Sequence, residues 1–207
     1  MKTYAVIDTN VIVAAVLTHN PESPTRHIIE KVRSGQLIPM VNHDIMEEYL
    51  EVLSRSKFKL NKDVILDMKD LFEIRGSQFV PQVTQHLFID PDDYIFYATY
   101  SMNDGAYLIT GNLRHYPKEP RILSPVDMLN VIQLLEATAG NILSDPEYEY
   151  MSDENRTRLQ RAWKAVERCR QDAVANGTAD MSMEEIDEEI RLYREERRAK
   201  RLKDSQK

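Results

Sequence analysis

The sequence is poor in the residues on which several common classes of protein depend. Its 207 residues include one cysteine, Cys169, and six glycines. A single cysteine excludes an intrachain disulfide and a cysteine-rich zinc site, and it suits a reducing compartment. The glycines form no glycine-rich loop of the kind that cradles phosphates in nucleotide-binding proteins.

Long apolar runs and an excess of positive charge are also missing. No run approaches the roughly 18 apolar residues that a membrane helix needs, and the N-terminus leads directly into a strand-like segment without a secretory signal. A cytoplasmic protein without a membrane segment is therefore expected. The net charge of −7 argues against a generally basic nucleic-acid binder. It leaves open an enzyme that meets nucleic acid through metal ions and a local basic patch.

Short apolar runs alternate with helical patterns up to about residue 135. The predicted strands cover residues 4–7, 37–41, 79–83, 107–110 and 121–123. Pro39 lies in the second of these strands, which predicts an edge position for it because proline cannot donate a ladder hydrogen bond. The alternation predicts an α/β fold with a mainly parallel sheet and helices on both faces.

The composition changes after about residue 140, where strand patterns end and charged residues dominate. We divide the chain into an α/β domain (1–135), a linker (136–150) and a helical extension (151–207). Ser152 to Val174 reads as one helix, and Ser182 with Glu185 forms a capping box in front of a second helix. Two short amphipathic helices bury little apolar surface alone, so we expect them to lie on this domain or on a partner.

Three acids at separate places in the α/β region carry the chemical signal. Asp8 follows the first strand, Glu48 lies on the helix after the second strand, and Asp93 begins a later helix. Ligands of open α/β sheets bind outside the carboxyl ends of the strands, and carboxylates in one cleft suit Mg²⁺ or Mn²⁺. Singly, Asp8 also fits a plain turn residue at a strand end, Asp93 a plain helix cap, Glu48 a solvated helix face, and Asn112 a Gly-Asn turn.

The order of the motifs resembles one family. Residues 1 to about 132 resemble a PIN domain, the metal-dependent ribonuclease fold of VapC-like toxins. The matching segments are Ile7-Asp8-Thr9-Asn10, Glu48 to Leu53, Asp90-Pro91-Asp92-Asp93, Leu108 to Asn112 and Ile122 to Pro125. The resemblance implies a doubly wound α/β/α sandwich, Mg²⁺ or Mn²⁺, and endonucleolytic cleavage of RNA. It also implies that Asp8, Glu48 and Asp93 hold the metal, with Thr9 and Asn10 as supporting neighbours.

One position departs from the pattern of that family. PIN domains commonly carry a fourth acid after the Thr-Gly pair, which is Thr110-Gly111 here, and this chain has Asn112 instead. An amide can orient a water through its carbonyl but adds no negative charge. A second metal ion would then be held more weakly unless Asp90 or Asp92 contributes, which leaves one-metal catalysis or weak activity open.

The extension has a resemblance of its own. Residues 178–190 and the basic stretch after them resemble the toxin-binding end of type II antitoxins. This implies a toxin fused to a neutralising segment, in which one arginine pairs with the site carboxylates. The candidates are Arg191, Arg194, Arg197 and Arg198. A helical extension that helps dimerisation fits the same residues.

The sequence thus predicts a toxin-like Mg²⁺- or Mn²⁺-dependent endoribonuclease with a self-inhibitory tail. Its expected partners are RNA, a cognate antitoxin or its own C-terminal segment, and a second copy of the chain. The alternative is a catalytically weak or inactive PIN scaffold that binds RNA or a protein partner. A phosphatase remains a third possibility. His115 and Tyr116 follow Asn112 and could touch substrate, although packing roles are favoured for both.

Overall fold

A five-stranded parallel sheet forms the centre of the computed structural model, which describes residues 2–81, 91–139 and 151–204. The strands are β1 (Thr3–Ile7), β2 (Leu37–Val41), β3 (Ser77–Gln78), β4 (Tyr107–Ile109) and β5 (Ile122–Leu123). Their order across the sheet is β3-β2-β1-β4-β5, and every pairing is parallel. The predicted α/β fold with a C-terminal helical region is confirmed.

Helices flank the sheet, and further helices follow its last strand in the sequence. They are α1 (Thr9–Leu17), α2 (Pro24–Arg33), α3 (His43–Leu53), α4 (Lys62–Arg75), α5 (Tyr94–Tyr100), α6 (Pro125–Ala139), α7 (Asp153–Asn176) and α8 (Met183–Asp204). Short 3₁₀ helices cover Pro91–Asp93 and Leu113–His115. No helix in this described part of the chain is long and apolar enough to span a membrane.

Two strand predictions need correction. The predicted edge position of β2 is wrong, because β2 pairs with β1 on one side and with β3 on the other. The two-residue β3 pairs only with Met40 and Val41, so it requires no ladder hydrogen bond at Pro39. The strand predicted at 79–83 lies earlier, at Ser77–Gln78, while residues 82–83 fall outside the described ranges.

Helix α1 has no counterpart among the predicted elements. Its sequence, TNVIVAAVL, is apolar almost throughout, and eight of its nine residues are buried. An amphipathic stripe arises only where one face meets water, so a helix buried on all sides lacks that pattern. Its β-branched residues also favour strands when taken alone. Burial by the surrounding chain overrides that preference here.

Helix α7 packs on the α/β domain itself. It lies against α1 and α4 and buries Leu159, Val166 and Cys169 there. The guanidinium of Arg170 on the same helix donates through Nε to the carbonyl of Ala15, 3.1 Å away. The extension was expected to lie on this domain or on a partner, and α7 lies on this domain. Its buried side chains belong to the same hydrophobic core as those of the domain.

The start of α8 follows the predicted capping box. The backbone N–H of Ser182 donates to Glu185 Oε2 at 2.8 Å, and the N–H of Glu185 donates to Ser182 Oγ at 3.2 Å. Gly177, with φ of +71°, ends α7 in the left-handed conformation that glycine adopts without strain. Helix α6 reaches Ala139 and residues 140–150 lie outside the described ranges, so the division at 136–150 stays a prediction.

Candidate active site

Asp8 lies where the two central strands end. It follows β1, and its Oδ2 accepts a hydrogen bond from the hydroxyl of Thr110, which follows β4, at 2.7 Å. The hydroxyl of Tyr116 lies 3.3 Å from the same oxygen. Asp8 stands at the N-cap of α1 without capping it through its side chain. Its carboxylate is therefore turned towards the carboxyl edge of the sheet, where parallel folds place their ligands.

Glu48 reaches the same edge from α3. Its side chain is buried rather than solvated, and the hydroxyl of Thr9 donates to Oε1 at 2.7 Å. The hydroxyl of Tyr49 donates to the carbonyl of Ile7 in β1, which fixes α3 against the strand. Burial raises the pKa of the Glu48 carboxyl, and the charge of Arg194 and the hydrogen bond from Thr9 lower it only in part.

Asp93 completes the set of predicted acids. It is 1% exposed and precedes α5, but its side chain makes no capping hydrogen bond with that helix. Its Oδ2 lies 3.0 Å from Nδ1 of His115. The helix-cap interpretation of Asp93 is thus not the one that the structure favours.

A cation from the C-terminal helix joins two of these acids. The Arg194 guanidinium donates through Nη1 to Asp93 Oδ1 at 2.6 Å and through Nη2 to Glu48 Oε1 at 2.8 Å. All three side chains are at most 4% exposed. Although burial alone lowers the pKa of the guanidinium, the charges of Glu48 and Asp93 raise it well above the ordinary value. Arg194 therefore stays charged in this site.

The other three candidate arginines of the tail contact acids elsewhere. Arg191 is exposed and pairs with Glu188 and Glu195 on its own helix. The side chain of Arg197 donates to Glu47 on α3. The Nε of Arg198 lies 3.6 Å from Asp92 Oδ2, and the supporting candidate Asp90 falls outside the described ranges.

The carboxylates suit a divalent ion in their chemistry but are not grouped around one in this conformation. Among residues 2–81, 91–139 and 151–204, no three His, Cys, Asp or Glu side chains are close enough together to hold a metal ion. The predicted three-carboxylate group is therefore not assembled here. The guanidinium of Arg194 lies between Glu48 and Asp93 instead, and its single positive charge offsets part of their negative charge.

A second polar contact with α8 lies beside the first. The Nδ2 of Asn10 donates to Asp187 Oδ1 at 3.0 Å, and the Nδ2 of Asn112 lies 3.4 Å from Asp187 Oδ2. Burial raises the pKa of the Asp187 carboxyl. A cleft of about 460 Å³ remains between α8 and the domain, and it is lined by Asp8 and Asp93 as well as by Asp187.

Asp187 is the site residue that the sequence analysis missed. The sequence analysis included it only within residues 178–190, without a role of its own. A more specific signal was present, since Asp187 stands seven residues before Arg194 and directly follows Ile186 on the apolar face. Residues seven apart lie on the same side of a helix.

Comparison with known proteins gives one match. A family model described as PIN domain matches residues 4–114, which is more than half of the chain. No curated protein and no solved structure matches.

Proposed function

The chain belongs to the PIN domain family, whose members are generally metal-dependent nucleases, and on that premise we propose a Mg²⁺- or Mn²⁺-dependent endoribonuclease closed by its own C-terminal helix. In this proposal α8 has the role of an antitoxin-like segment carried in cis. The active state is the one in which Arg194 has left the acids.

The site residues divide by role. Asp8, Glu48 and Asp93 would hold the ion, which supplies Lewis acidity and lowers the pKa of a bound water. The hydroxyls of Thr9 and Thr110 donate to Glu48 and Asp8, and each fixes its carboxylate in one orientation. A carboxylate held in this way meets a cation without first losing conformational entropy.

The observation that carries the proposal is the contact of Arg194 with Glu48 and Asp93. Two carboxylates taken out of water need a cation, because an unpaired buried charge is strongly unfavourable. The guanidinium uses Glu48 Oε1 and Asp93 Oδ1, and these are oxygens that a divalent ion would need. The guanidinium and the ion therefore compete for the same oxygens, and the guanidinium is supplied by the tail.

The test is cleavage of a panel of single-stranded RNAs with Mn²⁺, by full-length chains. Arg194→Ala should cleave faster than the parent chain, and Arg194→Ala with Asp93→Asn should be inactive. Arg191→Ala is the matched control, because Arg191 lies on the same helix but pairs with Glu188 and Glu195.

The same panel separates the proposal from its alternative. Binding of RNA without metal, unchanged by Asp8→Asn and without cleavage by any folded variant, would establish a PIN scaffold in place of a nuclease. Equal cleavage by the parent chain and Arg194→Ala would retain the nuclease and refute closure by the tail.

A further inference from the structure

We propose that Asn10 and Asn112 are the specificity determinants for docking of the C-terminal helix, because together they recognise the carboxylate of Asp187. The pair selects a helix that carries an acid seven residues before the arginine. This inference rests on the proposed function only for its effect on activity, since docking of α8 can be measured without metal or RNA.

Contacts within the domain position both asparagines independently of α8. The N–H of Gly111 donates to Asn10 Oδ1 at 3.0 Å, which leaves the Nδ2 of Asn10 to face the tail. The N–H of Asn112 donates to Thr110 Oγ1 at 2.9 Å and holds the turn on which Asn112 stands. A backbone N–H can only donate, so it settles which atom of Asn10 is the oxygen. The Nδ2 of Asn10 therefore donates to Asp187. The Nδ2 of Asn112 lies 2.8 Å from Nε2 of His115 and 3.4 Å from Asp187 Oδ2, so its two hydrogens can serve both neighbours.

The docking surface therefore has two parts, one that accepts hydrogen bonds from the helix and one that donates hydrogen bonds to it. Glu48 and Asp93 accept from the arginine, and Asn10 and Asn112 donate to the acid. The seven residues between the two side chains on the helix span about 10.5 Å along its axis. A helix docked in the reverse direction would bring its acid to the carboxylates and its arginine to the amides. Repulsion and unmatched donors would oppose that arrangement, so the surface fixes the direction as well as the register.

The turn at Gly111, next to the two amides, also fits α8 in shape. A Cβ at Gly111 would lie 2.8 Å from Sδ and 2.9 Å from Cε of Met183, the first residue of α8. The side chain of Met183 thus occupies the space that the glycine leaves. Shape and charge complementarity meet within three consecutive residues, Thr110 to Asn112.

This recognition gives a physical reason for an amide at position 112. An aspartate there would place a second carboxylate against Asp187, where an Nδ2 donor now lies at 3.4 Å. Two like charges in a partly buried site repel, and Asp187 would also lose one of its hydrogen bonds. Asn112 therefore favours the docked tail, whereas an acid at that position would oppose it.

The experiment is a double-mutant cycle of Asn112→Asp and Asp187→Asn, with both single variants and the double variant read by hydrogen–deuterium exchange of α8 in the full-length, metal-free chain. Asn112→Asp should speed the exchange of residues 183–194 by about tenfold or more, the factor expected for losing a charged hydrogen bond. Adding Asp187→Asn to that variant should return the exchange towards the parent value, because the donor and the acceptor are then interchanged. Asn61→Asp adds the same charge at an exposed position, the N-cap of α4, and should leave the exchange unchanged.

Two results would overturn the inference. One is unchanged exchange in Asn112→Asp, and the other is a double variant no better protected than the single one. If Asn112→Asp does not fold, Asp187→Lys tests the same contact from the helix, because an ammonium group cannot accept from the amides. Faster exchange of α8 in Asp187→Lys supports the inference, and parent-like exchange refutes it.

Failure of the nuclease proposal remains distinguishable from failure of this one. If the exchange cycle behaves as expected while Arg194→Ala cleaves no RNA, the recognition of α8 stands and the nuclease does not. If Arg194→Ala cleaves RNA but the cycle shows no coupling, the tail docks without recognition of Asp187 by the amides.

Discussion

Removing the arginine that links the tail to the acids should destabilise the metal-free chain. Arg194→Ala would leave Glu48 and Asp93 buried without the cation that now bonds to both. Breaking a buried ion pair by deleting one partner costs about 3–5 kcal/mol, which is a large fraction of the roughly 5–15 kcal/mol stability of a typical domain.

The destabilisation by Arg194→Ala cannot exceed the free energy with which α8 docks on the domain. If α8 detaches, water reaches the two carboxylates and the penalty falls to the free energy of docking α8. The contacts that remain include the hydroxyl of Tyr193, which donates to Glu51 at 2.6 Å, and the pairing of Arg55 with Glu189. Partly exposed ion pairs contribute about 0–1 kcal/mol each. Ile186 and Ile190 also stay buried against the domain, at about 1.5–3 kcal/mol each. We therefore expect α8 to stay docked in most molecules but to open more often than in the parent chain.

Urea unfolding with and without Mn²⁺ measures both effects. Without metal, Arg194→Ala should unfold at lower urea than Arg191→Ala, whose arginine pairs on the helix surface. With Mn²⁺ at a hundredfold excess over its dissociation constant, the variant should regain about 2.7 kcal/mol, and the parent chain should gain less because its arginine competes. Equal stability of the two arginine variants, together with equal gains from Mn²⁺, would refute the reasoning.

Three further outcomes follow from the burial of particular groups. Burial raises the pKa of Glu48, so its contribution to stability is complete below the unfolded pKa and is lost as pH rises through the folded one. The slope is at most about 1.4 kcal/mol per pH unit, and urea unfolding over pH should give a flatter profile for Glu48→Gln. The thiol of Cys169 is buried with a pKa raised to about 12, and it should react with a thiol reagent only as fast as the chain unfolds. Finally, Gly111→Val should crowd Met183 and cost about 1–3 kcal/mol of docking, seen as faster exchange at the start of α8. Unchanged exchange there would contradict the close contact.

Much of the fold could be predicted because its signals are local. Buried parallel strands read as apolar runs, and caps such as Asn42 and Ser182 follow from side chains that accept from nearby backbone N–H groups. Helix α1 could not be found in this way, because its burial depends on elements far along the chain. The fully apolar pattern of residues 9–17 fits a buried helix and a buried strand equally well.

The same distinction between local signals and contacts of distant residues applies to the candidate site. The acids at 8, 48 and 93 could be grouped from sequence because Asp8 follows a recognisable strand, Glu48 lies on a recognisable helix and Asp93 precedes another. Which arginine of the tail meets them depends on the register of α8 on the domain, and four candidates fit the sequence. The partnership of Asn112 with Asp187 joins residues 75 positions apart, and only the folded chain brings them together.

Arg194 and a divalent ion should exclude each other from Glu48 and Asp93. Hydrogen–deuterium exchange of α8 in the unmodified chain, followed as Mn²⁺ is added without RNA, tests it most directly. We predict that exchange of residues 183–204 speeds up with Mn²⁺ and saturates, that α7 stays protected, and that Asp93→Asn abolishes the response. Exchange of α8 that does not change while Mn²⁺ binds to the chain would contradict the claim.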